Sequence, residues 1–253
     1  MTTETIQATV NQFGGVVIDP QLLPASPEQF QAQLAFSLEQ WRAAGHKLVW
    51  LEVPIRLAAL IPIATEQGFA FHHSSTQTLM MTYQLVADAF IPAYASHYIG
   101  AGGVVINDQK EVLVVVEKYR GGHGRYIKLP GGALHEGEHL VDGVIREVLE
   151  ETGIKAKFES LVCFRHWHGY RYGKSDIYFV CRLSPLDNEI QFDRGELDEC
   201  MWMPVQEYLN HPQVSVFNRR IVEAAVNNQG LQTTWMEGYD DRAAREFFMP
   251  GNE

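Results

Sequence analysis

Cysteine is scarce in this chain of 253 residues: Cys163, Cys181 and Cys200 stand far apart, and no C-x-x-C pair exists. That spacing excludes a disulfide framework and a zinc knuckle, and predicts buried free thiols in a reducing compartment. Positive charge is also short, with 20 Lys and Arg against 31 Asp and Glu, a net charge of −11 and a pI near 5.4. No basic stripe is available to neutralise a phosphate backbone, which excludes nucleic acid as a bulk partner. A polyanionic ligand would have to rely on metal ions and a few local cations. Long apolar runs are missing. The most apolar stretch, Leu48 to Ala64, is broken by Glu52, Pro54 and Arg56, so no membrane span is expected. The start, Met1-Thr-Thr-Glu-Thr-Ile, lacks the basic and apolar regions of a secretion signal, and a cytoplasmic location is expected. Internal repeats and low-complexity tracts are absent too.

What is present is 46% apolar side chains, enough for one large domain or two modest ones. Residues from about Pro27 to Ala44 read as a helix and Lys47 to Val53 as a strand. Pro54 opens a second helix to about Gln67, where Gly68 stops it. Phe69 to His73 and Gln77 to Leu85 read as strands, completing a small α+β unit that ends near Ala95. A second rhythm follows. Ile99 to Ile106 and Val112 to Glu117 are apolar strands joined by Asn107-Asp108-Gln109-Lys110, which predicts a hairpin. Gly121-Gly-His-Gly124 reads as a loop. Strands are expected at about Phe158–His166 and Asp176–Leu183, an acidic loop after them, and helices at Pro204 to Asn210 and Val216 to Asn228.

Between these lies Gly132-Ala-Leu-His-Glu-Gly-Glu138, then seven residues, then Arg146-Glu-Val-Leu-Glu-Glu-Thr-Gly153-Ile154. His139 to Thr152 reads as a helix. At about 100° per residue, Val141, Ile145, Val148 and Leu149 form one stripe, the expected core face. Glu147, Glu150 and Glu151 form an arc on the opposite side. Pro130-Gly131-Gly132 is a tight turn upstream, and Gly153 is a helix stop. Glutamates on a helix usually only solvate it. Three at i, i+3 and i+4 repel, however, by roughly 0.2–0.5 kcal/mol for each pair, unless something positive intervenes. Arg146 offsets part of this; a hard divalent cation with its preference for oxygen ligands would do more.

With its spacings the segment is G-x5-E-x7-R-E-V-L-E-E-T-G-I, and it resembles the Nudix box at every defining position. That resemblance implies an α/β fold, a Nudix α/β/α sandwich with a mixed sheet, and metal-dependent hydrolysis of nucleoside diphosphate derivatives. It also implies roles. Glu150 and Glu151 would be metal ligands with the Gly131 carbonyl, and Glu147 a further ligand or the group that deprotonates water. Arg146 would orient Glu147, and Glu138 would act through a metal-bound water. An additional acid from a late loop would be Glu196, six residues before Trp202, with Asp198 and Glu199 as alternatives or mere solvating groups. The expected cofactor is Mg2+ or Mn2+.

Leu51-Glu-Val-Pro-Ile, Gly68-Phe-Ala-Phe-His-His73 and Tyr94-Ala-Ser-His97 resemble the pre-Nudix domain of one subfamily, which includes plant ADP-ribose/NADH pyrophosphatases and a vertebrate Nudix protein encoded antisense to a fibroblast growth factor. Arg165-His-Trp-His168 and Gly173-Lys-Ser-Asp-Ile-Tyr178 resemble the same group. The implied architecture is a pre-Nudix α+β domain over residues 1–95, similar to an incomplete acetyltransferase fold, and a Nudix domain over 96–253. No [QR]-x-x-G-x-[GA] loop precedes Ala95, so acetyl transfer is not indicated. The implied substrates are ADP-ribose and NADH, with release of AMP. Coenzyme A, a nucleotide sugar, a damaged triphosphate or a non-catalytic sensor role remain alternatives, and a homodimer is expected by analogy.

Lys128, Arg165, His168 and Lys174 are the candidate substrate-binding residues, with Arg171 as further positive charge. His166 and His168, two apart on a strand, face one side. Trp167, Tyr170 and Tyr172 would either stack a base or pack the hairpin. His72 and His73 would serve as ligands or a base, or simply cap a strand, since no cysteine or carboxylate accompanies them.

Overall fold

Ser26 opens the first long helix by a local rule, its Oγ accepting from the Gln29 amide at 3.3 Å. Pro27 follows where a missing N–H costs nothing, and α1 runs Pro27–Ala43. The computed structural model describes residues 4–118, 126–239 and 241–251, so the loop expected at Gly121–Gly124 lies outside the described residues. The chain separates into Met1–Ala95 and Ser96–Glu253.

In the first unit Phe30, Leu34, Leu38 and Trp41 form the buried face of α1. They pack with Val49, Leu51 and Val53, the inward residues of β3 (Leu48–Pro54). Two strands precede α1 that the sequence reading did not assign, β1 (Ala8–Val10) and β2 (Gly15–Ile18). Asn11 Oδ1 caps the turn between them by accepting from Phe13 N and Gly15 N. The helix expected from Pro54 to Gln67 is divided into a 3-10 turn, Ile55–Leu60, and α2, Ile61–Glu66. Pro62 explains the division, because its ring crowds the preceding turn and it has no N–H to donate. Gly68, at φ +98°, ends the segment. With β4 (Ala70–Ser74) and β5 (Thr78–Gln84), the sheet has the order β1-β2-β3-β5-β4. Only β2 and β3 run parallel. His72 and His73 lie within β4. Their Nδ1 atoms are 2.6 Å apart, His72 Nε2 reaches the Pro92 carbonyl at 2.7 Å, and His73 stacks on Tyr94.

The second unit runs β6 (His97–Val105), β7 (Glu111–Glu117), β8 (Gly131–Ala133), α3 (Leu140–Thr152), β9 (Ala156–Trp167), β10 (Ser175–Pro185), β11 (Leu197–Pro204), α4 (Val205–Asn210), α5 (Val216–Asn227), β12 (Leu231–Thr234) and β13 (Phe247–Pro250). A six-stranded mixed sheet has the order β13-β12-β9-β10-β6-β8, and β7 pairs with β11. The hairpin expected from β6 and β7 does not form as a ladder. The turn is present, with Asn107 Oδ1 accepting from Gln109 N and Glu111 N and Lys110 at φ +61°. Pairing beyond it stops at the Ile106–Val112 bridge. Both edges of β6 are taken, by β10 in parallel and β8 antiparallel, so β7 turns to β11.

Period-two alternation in β7 sends Val112, Val114 and Val116 to one core, with Tyr208, Ile221 and Val222 of α4 and α5. Leu113 faces the other, with Val144 and Val148 of α3. Helices therefore cover both sides of the strands, as an α/β/α sandwich requires. Among the described residues no helix is long and apolar enough to cross a membrane. The three thiols are free; burial pushes those of Cys181 and Cys200 up to about 12.

Candidate active site

The buried line of α3 is Leu140, Val144, Val148 and Thr152, in steps of four, with Gly143 beside it. This corrects the expected stripe. Leu149 is 42% exposed, while Val141 and Ile145 are only partly buried. The rotation has a consequence for the acids. On a helix wheel Glu151 falls between Leu140 and Val144, within the inward arc, rather than opposite it. Glu147 flanks the same arc and Glu150 points outward, its side chain 59% exposed. Gly153 closes the helix at φ +75°, with a Cβ excluded by Gln191 at 2.8 Å.

Arg146 organises the front of the helix with every N–H of its guanidinium. Nε and Nη2 donate to the two oxygens of Glu138 at 2.7 and 2.9 Å, and Nη1 donates to Glu147 at 2.9 Å and Glu150 at 3.0 Å. The fifth bond goes to the Ala133 carbonyl at 3.2 Å. Hydrogen bonding to Arg146 holds the Glu138 carboxyl down at about 2, and Glu138 pushes the guanidinium up in return. Glu138 also accepts from the His135 amide at 2.9 Å. Gly143 lets this loop pack closely on the helix, since a Cβ there would stand 2.1 Å from the Leu134 side chain and displace it.

Glu151 is held differently. Its Oε2 accepts from the Gly131 amide at 2.9 Å, and burial raises its carboxyl to about 7, opposed by that amide and by Lys128. Gly132 lies against Glu147, and a Cβ there, 2.5 Å from Oε2, would have to push that carboxylate aside. The glycine turn thus packs directly on two carboxylates. Among the described residues no three His, Cys, Asp or Glu side chains converge as a ready metal-holding group. The acids are instead secured by Arg146 and by the Gly131 amide.

The N-terminus of α3 has an unusual clasp. His139 caps it without a side-chain bond of its own. The Glu246 carboxylate, just ahead of β13, accepts from Leu140 N at 2.9 Å and Val141 N at 3.2 Å, and His139 Nε2 meets the Arg242 carbonyl at 2.9 Å. A carboxylate on the first two amides satisfies orphan donors and complements the helix dipole.

On the α5 side of the sheet a cleft of about 660 Å³ runs from the Gly131–Ala133 wall to an aromatic rim of Tyr98, Trp167, Tyr170 and Tyr172. The box carboxylates are not among its lining residues; they stand against the glycine turn that forms its wall. Lys128 and Arg165 do line it. Lys128 is paired with Glu117 and Arg165 with Asp176. Arg165 also lies over the rings of Trp167, Tyr178 and Phe217, and its buried Nε has no hydrogen-bond partner among the described residues. Arg171 lines the rim over Tyr170. Tyr172 is 88% exposed and sits at φ +53°.

His168 and Lys174 do not line this cleft. His168 bonds Ser175 Oγ at 2.8 Å and packs edge-on against His166, whose Nε2 is 2.8 Å from that of His97. Glu196 is exposed and also outside the cleft, its carbonyl accepting from Lys118 N. Asp198 and Glu199 belong to β11 rather than to a loop. Sequence reasoning missed Glu117, Asp176, Tyr178 and Phe217. Glu117 did leave a signal, as the charged end of an apolar strand; Phe217 left none.

A family profile described as "NUDIX domain" matches residues 96–225, half of the chain, and one described as "Nudix hydrolase domain" matches residues 6–85. The chain belongs to the Nudix hydrolase family. Nudix hydrolase 8 of Arabidopsis thaliana is 40% identical over 212 residues, covering 83% of this chain and 58% of that protein. Nucleoside diphosphate-linked moiety X motif 6 of Homo sapiens is 32% identical over 242 residues, covering 93% of this chain and 74% of its own. The chain therefore spans little more than half the length of the Arabidopsis relative. A solved NUDIX hydrolase from Nitrosomonas europaea, 23% identical, covers 53% of this chain and 90% of that one, with a TM-score of 0.45. The matches bear out the family resemblance read from the box and from the N-terminal motifs.

Proposed function

We propose that this Nudix protein is a divalent-metal-dependent pyrophosphatase that hydrolyses ADP-ribose and NADH-like dinucleotides and releases AMP. One observation carries the reading: the inward-turned box glutamates and the cleft share the Gly131–Gly132 turn, so a diphosphate at that end of the cleft meets the acids across two glycines. The aromatic rim at the other end suits a base or a second ring system.

The residues fit a hard cation. Glu147, Glu150, Glu151 and the Gly131 carbonyl offer only oxygen donors, and among the described residues the buried Glu151 carboxyl is bonded only to the Gly131 amide. Mg2+ or Mn2+ held there would supply a lowered water pKa and charge neutralisation at phosphorus. The chain's own groups do the rest. Arg146 fixes Glu147 at 2.9 Å and Glu138 through two bonds. Glu147 takes the proton as water attacks one phosphorus and the bond to the bridging oxygen breaks. Arg165, locked by Asp176, and Lys128 face the diphosphate. Glu196 remains the alternative base, on the condition that it reaches the cleft.

The test is a screen of ADP-ribose, NADH, coenzyme A and nucleotide sugars with Mg2+ or Mn2+, products identified by mass. AMP from ADP-ribose is expected. Absence of cleavage across the panel, or turnover that survives both Glu150→Gln and Glu151→Gln, overturns the reading.

A further inference from the structure

Tyr178 occupies a place that three glycines leave open. On β10 it stands opposite Gly100 of β6. A Cβ at Gly100 would come within 3.0 Å of its ring, and one at Gly102 within 2.2 Å of its hydroxyl. One at Gly131 would lie 2.9 Å from the same oxygen. The ring therefore lies along the glycines of β6, and its hydroxyl ends at the turn that also holds Glu151. The Arg165 guanidinium lies over the ring at 5.5 Å. The residue lines the cleft.

Two of the cleft's cations are already engaged in ion pairs. Lys128 is paired with Glu117, and Arg165 with Asp176. The Tyr178 hydroxyl makes no hydrogen bond to the described residues. A tyrosine hydroxyl, whose ordinary pKa is about 10, is a neutral O–H at physiological pH. A neutral donor is not cancelled by the acids beside it, as a lysine would be. That matters in a chain of net charge −11 that must accept a polyanion.

We propose that the Tyr178 hydroxyl is a phosphate-binding group, donating to a non-bridging oxygen of the substrate diphosphate at the Gly131 end of the cleft. The glycines at 100, 102 and 131 are then part of the substrate site, since they bring this oxygen to the acid turn. The assignment rests on the reading of the protein as an enzyme of nucleoside diphosphates, and deepens it.

The test compares the full chain with Tyr178→Phe, which removes one oxygen and keeps the ring. Binding of α,β-methylene-ADP is measured by calorimetry with adenosine as control, beside hydrolysis of the cleaved nucleotide and thermal unfolding. A lost hydrogen bond to a charged group predicts methylene-ADP binding weaker by about tenfold or more, a raised KM, and unchanged adenosine binding and unfolding midpoint. Equal methylene-ADP binding by both proteins overturns the assignment, as does a wild-type chain that does not bind it. If Tyr178→Phe does not fold, Gly102→Ala displaces the hydroxyl instead; the same selective loss is expected, and its absence overturns the assignment. A wild type that binds through Tyr178 yet cleaves nothing would sink the enzymatic reading alone. A wild type whose cleavage and binding are both indifferent to Tyr178→Phe would sink this assignment alone.

Discussion

The two faces of the β9–β10–β6 ribbon carry the same strands and opposite chemistry. Arg165 pairs across with Tyr178 and Trp167 with Asp176, and all four line the cleft. One residue along, His166 pairs with Ile177, Phe164 with Phe179 and His97 with Ser175, and none of these lines it. In Arg165-His-Trp-His168 the pleat therefore splits alternate residues between a ligand-sized hollow and a histidine cluster on the far side. Proximity in sequence to a site residue is a poor guide on a strand; parity is a better one.

The comparison is broken if changes on the two faces have equal effects. The largest change belongs to the acid turn beside the cleft: Glu151→Gln is expected to lower turnover by at least about a hundredfold, in steady-state assays with Mg2+. Next, Arg165→Ala should raise KM by roughly tenfold and lower the unfolding midpoint, because Asp176 is left buried without its partner. Glu246→Ala, at the helix clasp, should cost about 1 kcal/mol in denaturant unfolding. On the far face, His166→Ala and His168→Ala should each leave kcat/KM within about twofold. A larger loss there would place substrate on the wrong side of the sheet.

Acidity sharpens the contrast between two carboxylates of one motif. Glu138 is depressed to about 2, so its contribution is intact above the ordinary carboxylate range and is lost as pH falls from about 4.5 to 2. Glu151 is raised to about 7, so the opposite sign applies: the metal-free protein loses stability as pH climbs from about 4.5 to 7. Unfolding midpoints in chelator across that range should fall for the wild type and stay flatter for Glu151→Gln. A wild-type midpoint that rises instead would contradict the burial of Glu151.

Much was legible because it is local. The helix from Pro27, the stops at Gly68 and Gly153 and the box all announce themselves within a turn or two of chain. What the sequence hid was decided by partners far away. β1 is three exposed residues with no alternation to read, and β7 left its turn partner because β10 and β8 already held β6. The inward roll of α3 was hidden as well, since Leu140 and Val144 outweigh Leu149 only once Val105, Leu113 and Leu183 are packed on them. His168 was chosen as a hydrogen-bonding group and Lys174 for its charge; the three-dimensional geometry is what sorts them from Arg165.

The clasp on α3 ties the motif to a residue 106 positions downstream of Leu140. A nascent chain that has just exposed its glutamates still lacks the group that finishes the first turn of their helix. Stopping translation at residue 230 would leave every box residue in place and the helix frayed at its entrance. The entrance of the box helix is thus completed only by a segment synthesised well after the box itself.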